Sequence, residues 1–249
     1  MGNPLLRGPG ADPTIIAHRG ASADAPENTM PAFELAFRFT SWLETDVQPT
    51  ADGVPVLLHD ADLDRTTDGM GPVRELAYAD LQALDAGSWF SPHFARTPVP
   101  TLRGLLDALP HDGHVLLEIK GPHTDAQLGA VLEVVERSGV DERVLLQSFE
   151  REALARLHAL RPERPLGLLT GAWDDDPVAE CRRYGAVLYN PDHRLLEGRD
   201  LQRLHAHGIA SAPYTADAPA DWSRLHALGA DAIITDRPGA LEDWLAERP

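Results

Sequence analysis

Short apolar runs alternate with longer amphipathic runs along most of the chain. The short runs are rich in β-branched residues or leucine and are typical of buried strands, whereas the longer runs carry apolar residues at helical spacing. Eight strands are predicted: Thr14–His18, Trp42–Val47, His114–Lys120, Arg143–Ser148, Leu166–Thr170, Ala186–Asn190, Ile209–Thr215 and Asp231–Thr235. The intervening predicted helices include Met30–Phe39, Thr101–Leu109, Asp125–Ser138 and Arg151–Leu160.

This alternation predicts an α/β fold. Eight strands, each followed by a helix, are typical of a closed parallel (β/α)8 TIM barrel, and 249 residues is the length of one such barrel. An open doubly wound sheet is the alternative, but the eight regular units and the lack of a glycine-rich phosphate loop favour the barrel. We therefore expect a single barrel domain over residues 1–249.

One stretch interrupts the alternation. Thr50–Pro98, between the second and third predicted strands, contains an Asp52-Gly53 turn, a short apolar run Val54–Leu58 and a loop-rich remainder. Because Asp-Gly between strand-like runs is a hairpin signal, the run is predicted to fold back as a short strand. We interpret residues 50–98 as a small insertion at the barrel face where βα loops build active sites.

Charge narrows the classes of partner. The formal net charge is −17, so nucleic acid and anionic membrane surfaces are disfavoured, and an anionic substrate requires a locally positive pocket. Met1–Pro13 has no apolar run typical of a secretory signal, and no stretch approaches membrane-spanning length. We expect a cytoplasmic protein without stable membrane association that acts on a small molecule; the sequence does not indicate its oligomeric state.

Three acidic residues are candidate metal ligands. Glu44 and Asp46 are two apart on one predicted strand, so both side chains project from the same face, and Glu118 lies on the neighbouring predicted strand. A lone pair of this kind is more often structural. Three carboxylates meeting at a barrel mouth, however, form an oxygen-only site of the kind that binds Mg²⁺ or Ca²⁺.

Lys120 is the only lysine in the chain, beside 21 arginines. It shares a strand face with Glu118 and would therefore lie beside the predicted metal site. A compact ammonium differs from a planar guanidinium in shape and donor geometry, so retention of lysine here indicates a specific role. We infer that Lys120 contacts a phosphate oxygen or neutralises developing charge; chance survival of one lysine is the alternative.

Two histidines are candidate acid and base groups. His18 ends the first predicted strand, followed by Arg19, and His59 ends the short run of the insertion, so both are predicted at the barrel mouth. Imidazole titrates near neutral pH and can exchange protons with a phosphodiester. Either histidine alone would more often be structural; together with the acids they indicate catalysis.

Further residues are possible pocket components. Asn28 or Thr29 is predicted to cap the first helix, while Glu27 is expected to hold Arg19 or another active-site base in place. The aromatic residues Trp89, Phe149 and Tyr214 are expected either to line the pocket or to lie in the core.

In these features the chain resembles the glycerophosphodiester phosphodiesterase family. The matching motifs occur in family order over nearly the whole chain: AHRG (17–20), PENT (26–29), LETDVQPTADGVPVLLHD (43–60), LDRTTDG (63–69), LEIK (117–120), QSFE (147–150) and IITDRP (233–238). Each motif alone is weak evidence, whereas the ordered set is specific. One departure is Tyr214, where members of the family often carry tryptophan, and it puts the specificity for the leaving alcohol in doubt.

The resemblance implies metal-dependent hydrolysis of glycerophosphodiesters to sn-glycerol 3-phosphate and an alcohol. It implies that the carboxylates bind Mg²⁺ or Ca²⁺, that Arg19 and Lys120 bind phosphate, and that His18 and His59 are the acid/base pair. The nucleophile can be water or the substrate's glycerol 2-hydroxyl, which would form a cyclic phosphate. The alternatives are a lysophospholipase D-like phosphodiesterase, a non-catalytic phosphodiester-binding barrel and a metal-dependent sugar isomerase.

Overall fold

The computed structural model describes residue 3, residues 5–8 and residues 10–248, so the extreme ends of the predicted 1–249 domain lie outside the described residues. Seven parallel strands curl around a common centre in the order β7-β6-β5-β4-β2-β1-β8, and β3 pairs antiparallel with β2. The strands are β1 Thr14–His18, β2 Trp42–Pro49, β3 Pro55–Leu57, β4 His114–Ile119, β5 Val144–Ser148, β6 Leu166–Thr170, β7 Ala186–Pro191 and β8 Ala232–Thr235.

Helices follow the parallel strands and cover the outside of the sheet. The described helices are α1 Met30–Ala36, α2 Tyr78–Leu81, α3 Leu102–Asp107, α4 Asp125–Glu136, α5 Arg151–Leu160, α6 Pro177–Tyr184, α7 Gly198–His205, α8 Pro219–Leu228 and α9 Pro238–Ala246. No helix in the part of the chain that the structure describes is both long and apolar enough to cross a bilayer.

The predicted seventh barrel strand, Ile209–Thr215, is wrong as a regular strand. In the structure this segment forms only isolated parallel bridges to the region of β7, at Ala210 and at Tyr214. It still bonds to β8 on its other side, where Ile234 donates to the Pro213 carbonyl over 3.1 Å. The segment therefore closes the barrel between β7 and β8 as an irregular eighth stave.

The irregularity has two chemical causes. Pro213 has no N–H to donate to a ladder. In addition, the side chain of Asn190 replaces a backbone partner, because its Oδ1 accepts the Ala212 N–H over 2.9 Å. A side-chain hydrogen bond thus replaces one of the backbone hydrogen bonds that join the other neighbouring strands.

Alternation along the strands separates an inner core from an outer one. Inward-facing residues such as Ile16 and Leu116 form a buried cluster inside the barrel, while their neighbours Ala17 and Leu117 pack in the cluster beneath the helices. Leu5, from the chain start, is 2% exposed and joins the inner cluster. Apolar side chains fill the inside of the barrel, and the charged residues of the strands lie at their carboxyl ends.

The 50–98 segment begins as the predicted hairpin. Gly53 has φ of 81°, which the tight turn requires, and Thr50 donates its N–H to the Val54 carbonyl. β3 then pairs antiparallel with the end of β2. The segment and Val99, which directly follows it, share an apolar cluster formed by Val56, Leu58, Leu63, Val73, Leu81, Ala86 and Val99.

Candidate active site

The inner faces of two neighbouring strands, β2 and β4, change from apolar to charged at their carboxyl ends. On β2, Trp42 faces inward at the start of the strand and Glu44 and Asp46 follow at two-residue steps. β4 repeats the change with Leu116 and Glu118. Because the registers place Asp46 opposite Glu118 on adjacent strands, the charged groups meet at one end of the barrel.

Glu44, Asp46 and Glu118 each offer a carboxylate oxygen to one point, and these oxygens lie within 4.8 Å of one another. All three residues are buried, at 2%, 1% and 6% exposure. The Oδ1 atom of Asp46 is buried without a hydrogen-bond partner. A buried carboxylate oxygen without a partner is costly, so this group fits a hard divalent cation, which prefers such ligands.

The pKa values of the three carboxyl groups show how strongly burial and mutual repulsion act on them without a bound cation. Burial, followed by repulsion from Asp46 and Glu118, raises the pKa of Glu44 well above its usual range. Burial and the charge of Asp46 raise the pKa of Glu118 to about 7. Burial acts to raise the pKa of Asp46 too, but attraction from Lys120 and Arg19 outweighs it and the pKa is lowered. The site favours positive charge.

Two basic side chains supply part of that charge. Lys120 Nζ lies 2.7 Å from Glu118 Oε1 and 3.4 Å from Asp46 Oδ1. Arg19 Nε lies 3.2 Å from Asp46 Oδ2, and Arg19 Nη1 donates to Glu27 Oε1 over 2.8 Å. Both basic side chains are 17% exposed, so they border the acids while still reaching the opening.

The loop after β1 is held in an uncommon backbone conformation. Arg19 and Asn28 have φ of 57° and 56°, in the left-handed region, and the Asn28 N–H bonds to the Arg19 carbonyl. Gly20 has φ of 83°, and a Cβ there would lie 2.7 Å from the backbone of Ala32 on α1. This tight loop directs the Arg19 N–H to Glu44 Oε2, over 3.2 Å.

His18 is held by a carboxylate from the far end of the sequence. Its Nδ1 lies 2.6 Å from Asp236 Oδ1, which also accepts a hydrogen bond from Ser22 Oγ over 3.0 Å. Its Nε2 lies 4.0 Å from Glu44 Oε2. With Nδ1 bonded to a carboxylate, Nε2 is the nitrogen left to exchange a proton at the cavity.

His59 has the same arrangement on the 50–98 segment. Its Nδ1 lies 2.6 Å from Asp60 Oδ1, and burial lowers the pKa of the imidazole. Asp60 is bonded in turn by Arg65, whose Nε donates to Asp60 Oδ2 over 2.6 Å. Arg65 also donates two hydrogen bonds to Glu27, over 2.7 and 2.8 Å.

A cavity of about 220 Å³ opens among these groups. Phe149 and Tyr214 form one wall, with ring centroids 5.5 Å apart and nearly perpendicular planes. Lys120 Nζ lies 5.7 Å from the centre of the Phe149 ring. Trp89 is not among the described lining residues, and Glu27 lies behind Arg19. The full lining comprises His18, Arg19, Glu44, His59, Glu118, Lys120, Gln147, Phe149, Leu169, Tyr214, Thr215 and Ile234.

Asn28, one of the two residues predicted as the cap of α1, is not the N-cap residue. Its buried side chain instead bonds within the site: Nδ2 donates to Asp46 Oδ2 over 2.9 Å and Oδ1 accepts from Thr45 Oγ1 over 2.6 Å. Thr29 does occupy the N-cap position, but its hydroxyl donates to the Pro26 carbonyl rather than accepting from the helix. Asn28 therefore orients the acid at the centre of the cluster.

Sequence reasoning also missed Asp60, Arg65 and Asp236. All three lie within motifs on which the resemblance rests; Asp236 follows directly on a strand-like run, and Asp60 follows one with only His59 between them. An acid within two residues of the end of a strand-like run at the barrel mouth was the available signal. Nothing in the sequence pairs Asp236 with His18, since 218 positions separate them.

The chain matches the model of the glycerophosphoryl diester phosphodiesterase family over residues 18–240. That range covers most of the chain and includes every residue at the rim described above. The chain belongs to this family. Its relatives include a glycerophosphodiester phosphodiesterase of Bacillus subtilis, 34% identical, in an alignment that covers 90% of this chain and 83% of the relative.

Other relatives extend this match within the family. A glycerophosphodiester phosphodiesterase of Caldanaerobacter subterraneus is 32% identical over 91% of this chain and 95% of its own length. Among solved structures, a phosphodiesterase of Oleispira antarctica in complex with the product sn-glycerol-3-phosphate superposes with a TM-score of 0.90 at 28% identity, covering 95% of this chain and 98% of that one. The glycerophosphodiester phosphodiesterase of Agrobacterium tumefaciens gives 0.82 at 29% identity, covering 93% and 99%.

Proposed function

We propose that this protein hydrolyses glycerophosphodiesters to sn-glycerol 3-phosphate and an alcohol, with a divalent cation held by Glu44, Asp46 and Glu118. The observation that carries the proposal is the convergence of these acids, two basic side chains and two carboxylate-bound histidines on one cavity. Family membership supports the same reaction class.

Charge balance explains why an anionic substrate fits this acidic protein. Three carboxylates and the two basic residues Arg19 and Lys120 leave the rim one negative charge in excess when all are ionised. A divalent cation turns this into one positive charge, which matches the single negative charge of a phosphodiester. The whole chain carries a formal net charge of −17, so the surface outside the rim repels polyanions.

The oxygen-only ligand set supports Mg²⁺ or Ca²⁺ as the cation. When bound, such an ion supplies Lewis-acid polarisation of the phosphate and partly neutralises its charge. Lys120 and Arg19 would balance the remaining negative charge on the phosphate oxygens, because both side chains line the cavity.

We assign proton transfer to the two histidines. His18 would act as the base through Nε2, since its Nδ1 is bonded to Asp236, and it would take the proton of the attacking oxygen. His59 would act as the acid and protonate the leaving alkoxide. The attacking oxygen would come from water or from the substrate's glycerol 2-hydroxyl; incubation in ¹⁸O-water with trapping of a cyclic phosphate distinguishes the two routes.

The lysophospholipase D-like alternative has less support from the structure. It requires an apolar groove beside the cavity, but the rings of Trp89 and Phe90 pack edge to face against each other, and Phe90 packs against Phe94. None of these three rings is among the described residues that line the cavity. A small, polar leaving alcohol is the better fit.

Coupled assays for released glycerol 3-phosphate and for released choline test the proposal, because a lysophospholipase D reaction would release choline but no glycerol 3-phosphate. Glycerophosphocholine and lysophosphatidylcholine are the paired substrates, assayed after treatment with chelator and again with Mg²⁺ or Ca²⁺ restored. We expect turnover of the first substrate only, lost with chelator and regained with cation. His18→Ala and His59→Ala should each remove at least about 100-fold of the rate yet keep cation binding, measured by calorimetry. Full turnover after complete demetallation would reject the metal-dependent mechanism.

A further inference from the structure

Arg65 joins two parts of the site that are far apart in sequence. Its guanidinium makes two hydrogen bonds to Glu27, on the loop between β1 and α1, and two to Asp60, on the 50–98 segment. Glu27 holds Arg19, and Asp60 holds His59. One side chain therefore connects a phosphate-facing arginine to an imidazole that lines the same cavity.

The two histidines differ in how their side chains are fixed. His18 ends a barrel strand, and its partner Asp236 follows β8, so both groups stand on adjacent parallel strands. His59 lies on the 50–98 segment, where its backbone carbonyl accepts a hydrogen bond from Gln48 over 3.1 Å. Among the described residues, the imidazole of His59 bonds only to Asp60. Its orientation therefore depends on how firmly Asp60 is held.

The Arg65 side chain fixes the carboxylate of Asp60 with two hydrogen bonds. The Arg65 hydrogen bonds and the His59 contact together lower the pKa of Asp60, so this carboxylate stays ionised at neutral pH. A planar guanidinium bonds two carboxylates at fixed angles, which a lysine ammonium cannot do. The geometry therefore requires arginine if both carboxylates are to be fixed together.

Magnitudes separate a positioning role from a stabilising one. The Arg65 side chain is 45% exposed, and ion pairs at exposed positions contribute little to stability. A misplacement of about 1 Å in a group that acts on the substrate can cost about 100-fold in rate. Loss of Arg65 should thus affect turnover far more than folding.

We propose that Arg65 is a positioning residue, which aims His59 through Asp60 and steadies Arg19 through Glu27. This inference rests on the proposed function, since it assigns Arg65 a part in that same reaction. Arg65 itself is not among the described residues that line the cavity, so it acts through its two carboxylate partners.

The test is a double-mutant cycle with glycerophosphoethanolamine as substrate, measured on the cation-loaded full chain. Arg65→Met should lower kcat about 10- to 100-fold with a smaller change in KM, and Arg65→Lys should restore part of the loss. In a His59→Ala background the same Arg65→Met change should lower kcat by a smaller factor, less than about threefold, because the imidazole that Arg65 aims is gone and only its effect on Arg19 through Glu27 remains. Arg103→Met is the matched control, since Arg103 makes an exposed ion pair with Asp107 on α3.

Each outcome decides the inference. Equal losses from Arg65→Met in the wild-type and His59→Ala backgrounds would overturn it, as would a kcat within threefold of the wild type. A loss explained by unfolding would appear as a lowered Tm and a reduced folded fraction, with kcat per folded molecule unchanged, and would also overturn it. Absence of wild-type turnover would instead reject the proposed function, and this inference with it.

Discussion

Two buried carboxylates at opposite ends of the barrel have opposite surroundings. At the amino end, Asp231 precedes β8 and uses both oxygens: Oδ1 accepts from the Arg7 N–H, and Oδ2 accepts from the Ser211 N–H and lies 2.8 Å from His205 Nε2. At the carboxyl end, Asp46 has one buried oxygen without a hydrogen bond. Both residues are almost fully buried.

The difference distinguishes a structural acid from one kept for a ligand. Asp231 ties the chain start to the irregular stave and to α7, and its hydrogen bonds compensate for its burial. The carboxylates at the rim repel one another: Lys120 and Arg19 stabilise the charge of Asp46, but the protein alone does not compensate for the charges of Glu44 and Glu118, whose pKa values are raised. Such a site is expected to gain stability from a bound cation, whereas the Asp231 site needs none.

The largest effect should come from removing one charge at the rim. Glu44→Gln keeps the shape of the side chain and an acceptor for the Arg19 N–H, but it removes a charged ligand. We expect kcat/KM to fall about 1000-fold, or about 4 kcal/mol, while the cation-free variant is at least as stable as the wild type. Steady-state kinetics and urea unfolding in chelator measure the two effects.

Glu34→Gln, on the exposed face of α1, is the control for Glu44→Gln and should change neither quantity. A Glu44→Gln variant that lost activity only because it unfolded would remove the distinction between the two ends of the barrel.

Asp231→Asn should show the reverse pattern. The amide has one acceptor oxygen for three donors, and its NH2 would face a donor, so we expect unfolding to become about 2–4 kcal/mol easier. Turnover per folded molecule should stay within twofold of the wild type. Asp12→Asn, which removes an exposed partner of Arg248 at the same end, should cost less than about 1 kcal/mol. Unchanged urea midpoints for Asp231→Asn would contradict this assignment.

The pH dependence of stability sharpens the comparison. The pKa of Glu118 is raised from its ordinary 4.5 to about 7 in the folded, cation-free protein. A raised folded-state pKa contributes stability that is present below pH 4.5 and is lost as the pH rises through about 7. Between pH 5 and 8 we therefore expect cation-free wild type to lose about 1–3 kcal/mol more stability than Glu118→Gln does.

Saturating Ca²⁺ should reduce this slope for the wild type, because the ion binds the ionised acids. Urea midpoints at four pH values, with and without chelator, give the comparison. Identical slopes for the wild type and Glu118→Gln would show that ionisation of Glu118 does not lower the stability of the cation-free protein.

The smallest effect is expected at the cavity wall. Tyr214→Phe removes the hydroxyl that donates to the Thr170 carbonyl over 2.9 Å but keeps the ring beside Phe149. We expect a loss of about 1 kcal/mol in stability and a change in KM below threefold. Tyr78→Phe, which removes a hydroxyl that accepts an exposed hydrogen bond from Gln82 over 2.8 Å, is the control. A tenfold change in KM would show that the hydroxyl itself contacts substrate.

Much of the fold follows from local patterns. The first, second and third parallel strands were predicted within a few residues, because alternation and β-branched runs are local properties of β1, β2 and β4. Residues Ile209–Thr215 were predicted as a regular strand, but the segment is irregular. Its strand-like composition does not reveal that the Asn190 side chain replaces a backbone hydrogen-bond partner. Local sequence therefore predicts whether a segment is a strand or a helix, whereas the regularity of a strand also depends on contacts with the neighbouring strand.

The site divides in the same way. Two-residue spacing placed Glu44 with Asp46 on one face, because strand geometry fixes that relation wherever the strand lies. The partners Asp60 and Asp236, the bridge made by Arg65 and the inward role of Asn28 were not predicted. Each depends on loops that meet only in the folded chain, and none has a periodic signal in the sequence.

The sequence by itself determined the alternation of strands and helices, the inward face of each charged strand and the chemical types at the rim, since these follow from side-chain identity and backbone period. Only the tertiary structure decided which carboxylate orients which histidine, and that Asp231 is saturated while Asp46 is not. The physical reason is distance: a hydrogen bond depends on a few tenths of an ångström between groups as far apart in sequence as His18 and Asp236, which are separated by 218 positions, and barrel closure sets that distance.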